Sequence, residues 1–319
     1  MPAKVRRRRT SQKRTLSLGP KLAVFLKVIL TILVLLAIGL SLFSWHQWRS
    51  LKLRDFKQFA FVVQEREAPE ITRLIILSIE ESTRTDLYFS SELRIPVVHG
   101  YGEYRAAIIP DLGIQEGYGY ELLSESITQW FGVNATDVIR LKNISRLHSL
   151  TSMLRAESTL DFWERIWLWL QLIDVSSTDF KEVNLVENSY FQVKNNAVTL
   201  SEVNRNKLAT EYFFSSRIAA MDKQIVIVNA TSQYGLASRV ADLLIAFGYD
   251  VVALQDSTEP KATTSIMIEE GSEIEADYLQ PLTDLFLHKK PEEVSSLREY
   301  RGDVIIILGE DYASLVSSL

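Results

Sequence analysis

Cysteine is absent from this chain of 319 residues. The absence excludes disulfide bonds, thiolate catalysis and cysteine-bound metal centres. A cysteine-free exterior is more typical of a bacterial surface protein than of a small secreted scaffold held together by disulfides. The length is sufficient for two modest domains that bury cores of their own, so the fold needs no covalent cross-links.

The short signatures of catalysis and metal binding are also missing. The sequence has no GxSxG elbow, no P-loop and no HExxH, and its four histidines occur singly. Acidic pairs such as Glu80-Glu81 and Glu269-Glu270 are adjacent in sequence, so on a regular element they point in different directions. No catalytic residue, metal site or cofactor is predicted.

Acidic residues are missing from the first 54 positions, which contain twelve Lys or Arg. The residues after Arg54 carry 23 basic and 40 acidic side chains, so the net charge of −5 hides a strongly acidic body. Such a body is a poor binder of nucleic acid, because phosphate contacts require Lys and Arg in excess on some face. No nucleic-acid partner is predicted.

Charge is absent from residues 28–43, in the middle of a long apolar run. The run extends from Leu22 to Trp45, 24 residues interrupted only by Lys27, whereas about 20 suffice to span a bilayer core. Trp45 and Trp48 stand where an interfacial aromatic belt lies, and Lys27 can extend its ammonium group to the headgroups. We predict a transmembrane helix at residues 22–45.

The distribution of basic residues predicts the orientation of this helix. Eight Lys or Arg precede the span and four follow it closely, which keeps the N-terminus in the cytoplasm. Residues 1–21 are then a basic cytoplasmic tail of a single-pass membrane protein whose remaining chain is extracytoplasmic. A cleaved signal peptide and a nucleic-acid arm are the alternatives. The basic region is long for a signal, however, and bulky residues fill positions 42–48, where cleavage requires small ones.

Residues 56–195 are predicted to form a first extracytoplasmic region of mixed α/β structure. Apolar, β-branched runs of five to seven residues indicate strands, and apolar residues three and four apart indicate helices. The predicted strands are Phe59 to Val63, Leu74 to Ile79 and Ala135 to Leu141, and the predicted helices are Tyr120 to Phe131, ending at Gly132, and Arg146 to Arg155.

A further predicted helix, residues 160–173, is apolar on nearly all sides and contains three of the six tryptophans. Phe162, Ile166, Leu170 and Ile173 form one stripe along it. A helix of this kind is usually buried, and we expect the stripe to lie in the core. The alternative is a helix lying on the membrane surface, which would favour more flanking Lys and Arg.

Three segments of this region resemble consecutive segments of the LytR/CpsA/Psr domain: LSIEEST at 77–83, IPVVHGYGEYRAA at 95–107 and GYGYELLSESITQWFGV at 117–133. That family transfers lipid-pyrophosphate-linked glycopolymers to the cell wall, so the resemblance implies a cell-wall glycopolymer as the partner. The family's Arg and Asp after the first strand correspond here to Glu81 and Ser82. Acid at this place would repel a pyrophosphate, which is normally met by arginines or a metal.

The same region is also short, since about a dozen residues separate Trp48 from Phe59. The family's preceding strand and catalytic loop do not fit there. We therefore predict that residues 56–195 form a degenerate, noncatalytic version of the domain. Arg84, Arg94 and Arg105 are the candidate anion ligands that remain, although an exposed arginine is more often simply solvated.

Residues 222–319 predict a second extracytoplasmic domain, after a polar connecting segment at 196–221. Ile225 to Thr231, a helix at about 235–247 and Tyr249 to Leu254 form a strand-helix-strand unit with parallel strands, and Gly248 stands at the helix C-cap. A strand near Thr264 to Ile268, a second helix ending near Leu285 and a strand at Asp303 to Leu308 complete a compact β-α-β-β-α-β domain. The fold class predicted for the chain is α/β.

The order of short motifs in this domain resembles the LytR-type C-terminal domain: VIVNAT at 226–231, GLA at 235–237, RVA at 239–241, GYDVV at 248–252 and LGEDY at 308–312. The resemblance implies an extracytoplasmic module of bacterial envelope proteins. The loop at 229–235 has one glycine and lacks the spacing of a phosphate cradle. We expect Asn229, Thr231 or Ser232 to close the turn and cap the helix instead.

These observations favour a noncatalytic envelope protein that binds a wall glycopolymer or another envelope protein. One alternative is an active phosphotransferase whose anion site is assembled from Arg84, Arg94 and Arg105 with a divalent metal. Another is a signalling anchor that works through its basic tail.

Overall fold

A computed structural model describes residues 58–67, 69–78, 82–133, 135–174, 180–286 and 289–317. The predicted cytoplasmic tail, the predicted span at 22–45 and the pair Glu80-Glu81 lie outside the described residues. Within these described ranges, no helix combines the length and the apolar character needed to cross a bilayer. Residues 52–319 belong to one compact unit.

A six-stranded sheet forms the first half of this unit. Its strands are β1 (Gln58–Glu65), β2 (Ile71–Ser78), β3 (Thr83–Ser90), β6 (Ala135–Leu141), β7 (Glu157–Ser158) and β8 (Phe180–Asn184), in the order β7-β6-β1-β2-β3-β8. The predicted strands at 59–63, 74–79 and 135–141 are confirmed, and β1 and β2 pair in antiparallel fashion. Strand β3 was not predicted, because its first four residues, Thr83 to Asp86, are all polar and look like part of a connecting segment.

A smaller sheet lies beside the first. It contains β4 (Arg94–Val97), β5 (Gly102–Arg105), β9 (Gln192–Lys194) and β10 (Ala197–Thr199), in the order β5-β4-β10-β9. Strand β10 pairs in parallel with β4, so residues separated by a hundred positions meet in one sheet.

Four helices accompany these sheets: α1 (Ile109–Glu116), α2 (Glu121–Phe131), α3 (Leu150–Leu154) and α4 (Phe162–Asp174). Helix α2 ends as predicted at Gly132, which has a left-handed φ of 66°. The predicted helix at 146–155 is wrong in its first half. A 3₁₀ turn at Ile144–Arg146 precedes it, and the extended backbone of Ser149 separates that turn from α3.

Helix α4 covers one face of the six-stranded sheet with a different side from the one expected. Trp167, Leu168 and Leu172 are buried, and the Trp167 ring lies 5.4 Å from that of Phe59 on β1. The expected core stripe is instead exposed: Phe162 is 54% exposed, Leu170 37% and Ile173 50%. The prediction was wrong because nearly every side of the helix carries apolar residues, so the sequence alone does not show which side is buried. The side of α4 that carries Trp167 packs against the sheet. The indole of Trp169 donates a hydrogen bond to the His148 carbonyl.

Two helices connect the halves of the unit, α5 (Glu202–Phe213) and α6 (Ser216–Ala220). This segment, residues 196–221, was predicted as a polar connection. Ser201 and Ser215 cap the two helices by accepting hydrogen bonds from backbone amides of the first turns.

The C-terminal half contains a five-stranded sheet and three helices. The strands are β11 (Gln224–Asn229), β12 (Asp250–Asp256), β13 (Ser265–Glu269), β14 (Glu292–Val294) and β15 (Val304–Leu308), in the order β12-β11-β15-β13-β14; the helices are α7 (Leu236–Phe247), α8 (Ala276–Leu285) and α9 (Glu310–Leu315). The predicted β-α-β unit is confirmed, with β11 and β12 parallel and Gly248 at the C-cap. The short strand β14 and helix α9 were not predicted.

One hydrophobic core runs through both halves. Val62 of the first sheet, Leu244 of α7 and Leu308 of β15 belong to the same buried cluster. Gln129 of α2 joins the halves by hydrogen bonds, because it donates to the Leu285 carbonyl and accepts from the Tyr312 hydroxyl. The boundary predicted at residue 222 is therefore not marked by a break in the core.

Candidate functional site

A cleft of about 710 Å³ opens beside the six-stranded sheet, at the edge where the chain enters β1. We call this row of strand ends the entry edge. It consists of the first residues of β1, β3 and β8, which are Gln58, Thr83 and Phe180, and the last residue of β2, Ser78. Strand pairing holds these positions side by side, since Gln58 faces Ser78 and Ser78 faces Thr83. The entry edge is therefore one continuous part of the surface.

The lining of the cleft combines aromatic, aliphatic and hydroxyl-bearing residues. One wall is the sheet and the other consists of α5, α6 and the C-terminal helices α7 and α8. Apolar lining residues include Phe59, Phe213, Phe214, Ile218, Phe247 and Pro281, and hydroxyl-bearing ones include Ser78, Thr83, Thr85, Ser215 and Ser216. Gln58 ties the two walls together by donating to the Tyr212 carbonyl at 3.1 Å.

The charges that line the cleft are mainly negative. Glu211, Asp277 and Asp284 are its acidic lining residues, and Arg217 is the basic residue among them. Arg217 lies 2.6 Å from a carboxylate oxygen of Glu275 and 3.1 Å from one of Asp277, so its charge is already compensated. A cleft with this lining disfavours a pyrophosphate, whose several negative charges require unpaired cations.

Glu211 at the cleft accepts a hydrogen bond of 2.5 Å from the Tyr190 hydroxyl and lies 3.8 Å from the Lys181 ammonium group. The Tyr190 hydrogen bond is the main cause that lowers the pKa of Glu211. Burial, followed by the hydrogen bond to Glu211, raises the pKa of Tyr190. The pair therefore stays as a carboxylate and a neutral phenol at neutral pH.

Arg84, the first candidate anion ligand, is occupied by a neighbour on its own strand. Its Nε and Nη2 each donate to a carboxylate oxygen of Asp86 at 2.6 Å, and its guanidinium packs 4.8 Å from the centre of the Phe180 ring. Arg84 is 8% exposed and Asp86 is fully buried. The arginine thus has its charge balanced within the fold.

Arg94 and Arg105 lie together but apart from Arg84. They are directly opposite each other on β4 and β5, on the smaller sheet, and Arg105 donates to Glu92 at 3.0 Å. Arg84 stands near the start of β3, whereas both other arginines follow its end, and six residues of strand separate the two ends by about 20 Å. The structure therefore brings two of the three predicted ligands together and leaves the third elsewhere.

Sequence reasoning missed the polar cluster around Asp86. Arg73 on β2 lies 3.3 Å from Asp86 and also pairs with Glu182 on β8, while Arg84 lies 3.3 Å from His148. Burial and the charge of Arg84 lower the pKa of His148. An available signal was the i, i+2 spacing of Arg84 and Asp86, which places both on one face of a strand.

The loop after β11 closes through its side chains. Asn229 accepts from the amide and hydroxyl of Thr231 and donates to the Gln233 carbonyl. The predicted turn is confirmed, but the predicted cap is wrong, because Gly235 holds the N-cap position with a left-handed φ of 78° and no side chain caps the helix. Within the described ranges, no group of three or more His, Asp or Glu side chains is arranged to hold a metal ion.

Comparison with known proteins finds a family match in the C-terminal half and distant structural likenesses. The structure of the LytR-CPS2A-psr family protein YwtF (TagT) with bound octaprenyl pyrophosphate lipid is 9% identical, with a TM-score of 0.35 over 49% of this chain and 89% of that one. TagT of Bacillus subtilis is 10% identical, with a TM-score of 0.35 over 49% of this chain and 91% of that one. A protein of Enterococcus faecalis described as a transcriptional regulator is 9% identical, with a TM-score of 0.32 over 49% and 86%.

Likenesses with TM-scores this low do not establish a shared fold or activity. A comparison with curated protein sequences gives no match. Residues 222–312, in contrast, match the family model described as LytR cell envelope-related transcriptional attenuator, which confirms the resemblance predicted for that part of the sequence. The chain therefore carries, at residues 222–312, a domain of the LytR cell envelope-related family.

Proposed function

We propose that the chain is a membrane-anchored, extracytoplasmic protein of the bacterial envelope that binds a cell-wall glycopolymer and holds it for assembly without catalysing its transfer. The LytR-type domain at 222–312 and the predicted span at 22–45 support the location. The resemblance of residues 77–133 to the LytR/CpsA/Psr domain supports a glycopolymer partner.

The mainly negative charge of the cleft is the observation that supports a noncatalytic role. Transfer from a lipid pyrophosphate requires cations or a metal at the reacting phosphates. The cleft offers carboxylates and a paired Arg217 instead. Arg84, the candidate ligand that directly follows the first resembling segment, is neutralised by Asp86.

The same lining suits the sugars of a polymer. Hydroxyl groups donate to and accept from sugar hydroxyls, carboxylates accept from them, and aromatic rings offer flat apolar faces for sugar rings. Phe214 is 47% exposed within the cleft, so its ring is available for such a contact.

Binding of a purified wall glycopolymer to the full chain in lipid nanodiscs tests this proposal. We expect Phe214→Ala to weaken binding about fivefold, because an aromatic contact contributes on the order of 1 kcal/mol and about 1.4 kcal/mol corresponds to a tenfold change in affinity. Tyr234→Ala is the matched control, since Tyr234 is 99% exposed and lies outside the cleft lining. No binding by the unaltered chain, or equal binding by the Phe214 and Tyr234 variants, would contradict the proposal.

The alternative, an active phosphotransferase, rests on the cross-strand pair of Arg94 and Arg105. Two arginines on adjacent strands can form a fork for phosphate oxygens. Under this alternative, Arg94→Ala and Arg105→Ala would each abolish release of the lipid phosphate from a lipid-linked glycan.

A further inference from the structure

Helix α4 presents an apolar stripe to the outside of the folded unit. Phe162, Leu170 and Ile173 are 54%, 37% and 50% exposed, and Ile166 between them is half-buried. These positions recur every three or four residues, so they lie along one side of the helix. Soluble surfaces seldom carry such a patch unless it contacts another molecule or a membrane.

The packing of α4 against the sheet does not involve this stripe. The opposite side of α4 already covers the sheet through Trp167, Leu168 and Leu172. The helix is further fixed by Arg165, which donates to the carbonyls of Leu160 and Ala156. The stripe is therefore available for contact with something outside the described unit.

Helix α4 lies near the entry edge of the six-stranded sheet. Trp167 contacts Phe59, the second residue of β1, so the helix lies against the start of that strand. Phe180, at the entry edge, is 40% exposed and adds to the apolar surface there. Trp169 of α4 donates to the His148 carbonyl, and Arg84, which packs on Phe180, lies 3.3 Å from the His148 ring. The C-terminal part of α4 and the entry edge therefore belong to the same region of the surface.

The predicted span ends at Trp45, and twelve residues separate it from Gln58. Even when fully extended, twelve residues reach only about 40 Å. The entry edge is therefore tethered close to the lipid surface if the predicted span crosses the membrane.

The chemistry of the stripe suits the boundary between lipid headgroups and acyl chains. Phe, Leu and Ile enter the apolar boundary, while Trp163, half-buried beside Phe162, is a residue type favoured at that depth. The charges on and beside α4 are mainly acidic: Asp161, Glu164 and Asp174, with the occupied Arg165. Contact would thus depend on apolar insertion and not on attraction to anionic lipids.

We propose that the stripe of Phe162, Ile166, Leu170 and Ile173 lies on the extracytoplasmic surface of the lipid bilayer and inserts its side chains at the headgroup boundary. The proposal rests on the membrane anchoring proposed above. Such a contact holds the entry edge, and the cleft that opens there, against the surface from which a lipid-linked polymer would arrive. A second copy of the chain is a weaker candidate, because four side chains are few against the roughly 800 Å² that each partner buries in a standard interface.

Fluorescence quenching by labelled lipids tests the contact. The chain has no cysteine, so one introduced cysteine carries one bimane probe. The full chain with Ile173→Cys or Phe162→Cys is placed in phosphatidylcholine nanodiscs with and without doxyl-labelled acyl chains. Leu254→Cys is the matched control, because Leu254 on β12 is 47% exposed and lies on the five-stranded sheet of the C-terminal half.

We expect doxyl lipid to quench the probes at 162 and 173 about twofold, since an inserted helix side lies roughly 5–10 Å deep, within reach of the quencher. The probe at 254 should be unchanged. Equal quenching at 173 and 254, or none at 162 and 173, overturns the proposal. The proposal is also overturned if the probe fluorescence changes only in discs that hold two chains and does not respond to doxyl lipid. That result would indicate that the stripe contacts a second copy of the chain.

Co-elution of the chain with the discs separates the two proposals. A chain that does not co-elute lacks the anchor and overturns both the membrane anchoring and the contact of α4. A chain that co-elutes without quenching at 162 and 173 overturns the contact alone.

Discussion

Replacing Asp86 by alanine should destabilise the protein more than replacing any exposed acid of an ion pair. Asp86 is fully buried and accepts two hydrogen bonds of 2.6 Å from Arg84, and Arg73 lies 3.3 Å from it. Removing the carboxylate leaves the Arg84 side chain, which is 10% exposed, without its counter-charge. Breaking one partner of a buried pair costs about 3–5 kcal/mol.

Glu92→Ala is the matched control, because it removes the acceptor of Arg105 in a pair whose side chains are 60% and 50% exposed. An exposed pair contributes only about 0.2–1 kcal/mol. The free energy of unfolding is measured by urea titration in detergent micelles, with tryptophan fluorescence as the signal. Four of the six tryptophans, Trp130, Trp163, Trp167 and Trp169, lie in the same half of the unit as Asp86, so the change in fluorescence reports mainly the unfolding of this half.

The paired replacement of Arg84 by Met and Asp86 by Leu should recover most of the lost stability, because it removes both buried charges together. The reasoning is refuted if Asp86→Ala costs no more than Glu92→Ala. In that case Arg84 is not held by Asp86, and it would again be available as an anion ligand.

Two further predictions concern the C-terminal half. Gly248→Ala should lower the free energy of unfolding by more than about 1 kcal/mol. Gly248 has a φ of 100°, and an added Cβ would lie 2.8 Å from the Ser215 carbonyl oxygen. Gly117→Ala should lower it by less, because Gly117 has a similar φ of 87° but open space where the Cβ would lie. Burial alone would raise the pKa of Asp311, but its hydrogen bonds from Thr264, together with Lys289 and the Tyr312 amide, hold that pKa below the usual value. The stability that Asp311 contributes is therefore present above its unfolded-state pKa of about 3.9 and is lost as the pH falls through the lowered value, so the urea midpoint of Asp311→Asn should depend less on pH between about 5 and 2.

Regular elements with a strong period were predictable from the sequence. The strand-helix-strand unit of β11, α7 and β12 has β-branched strands, one amphipathic helix and Gly248 where the chain must turn left-handed. Helix α2 likewise carries its apolar stripe and its terminal Gly132 within one short segment. Local signals sufficed because each element is specified by neighbours in sequence.

Features that depend on distant pairing were not predictable. The side of α4 that is buried depends on where Phe59 lies, about a hundred residues earlier in the chain. The cleft joins β1, α6 and α8, three elements that no local pattern relates. Arg84 was retained as a candidate ligand because the sequence does not show that β3 is a buried strand in which Asp86 occupies its guanidinium.

Release of lipid phosphate from a lipid-linked wall glycan by the full chain in nanodiscs tests the central claim most directly. The acidic cleft and the separation of Arg84 from Arg94 and Arg105 predict that the chain binds the glycan and releases no lipid phosphate above the rate of protein-free discs, with or without added Mg²⁺. Sustained release that Arg105→Ala abolishes, while glycan binding persists, would contradict the account and establish a phosphotransferase.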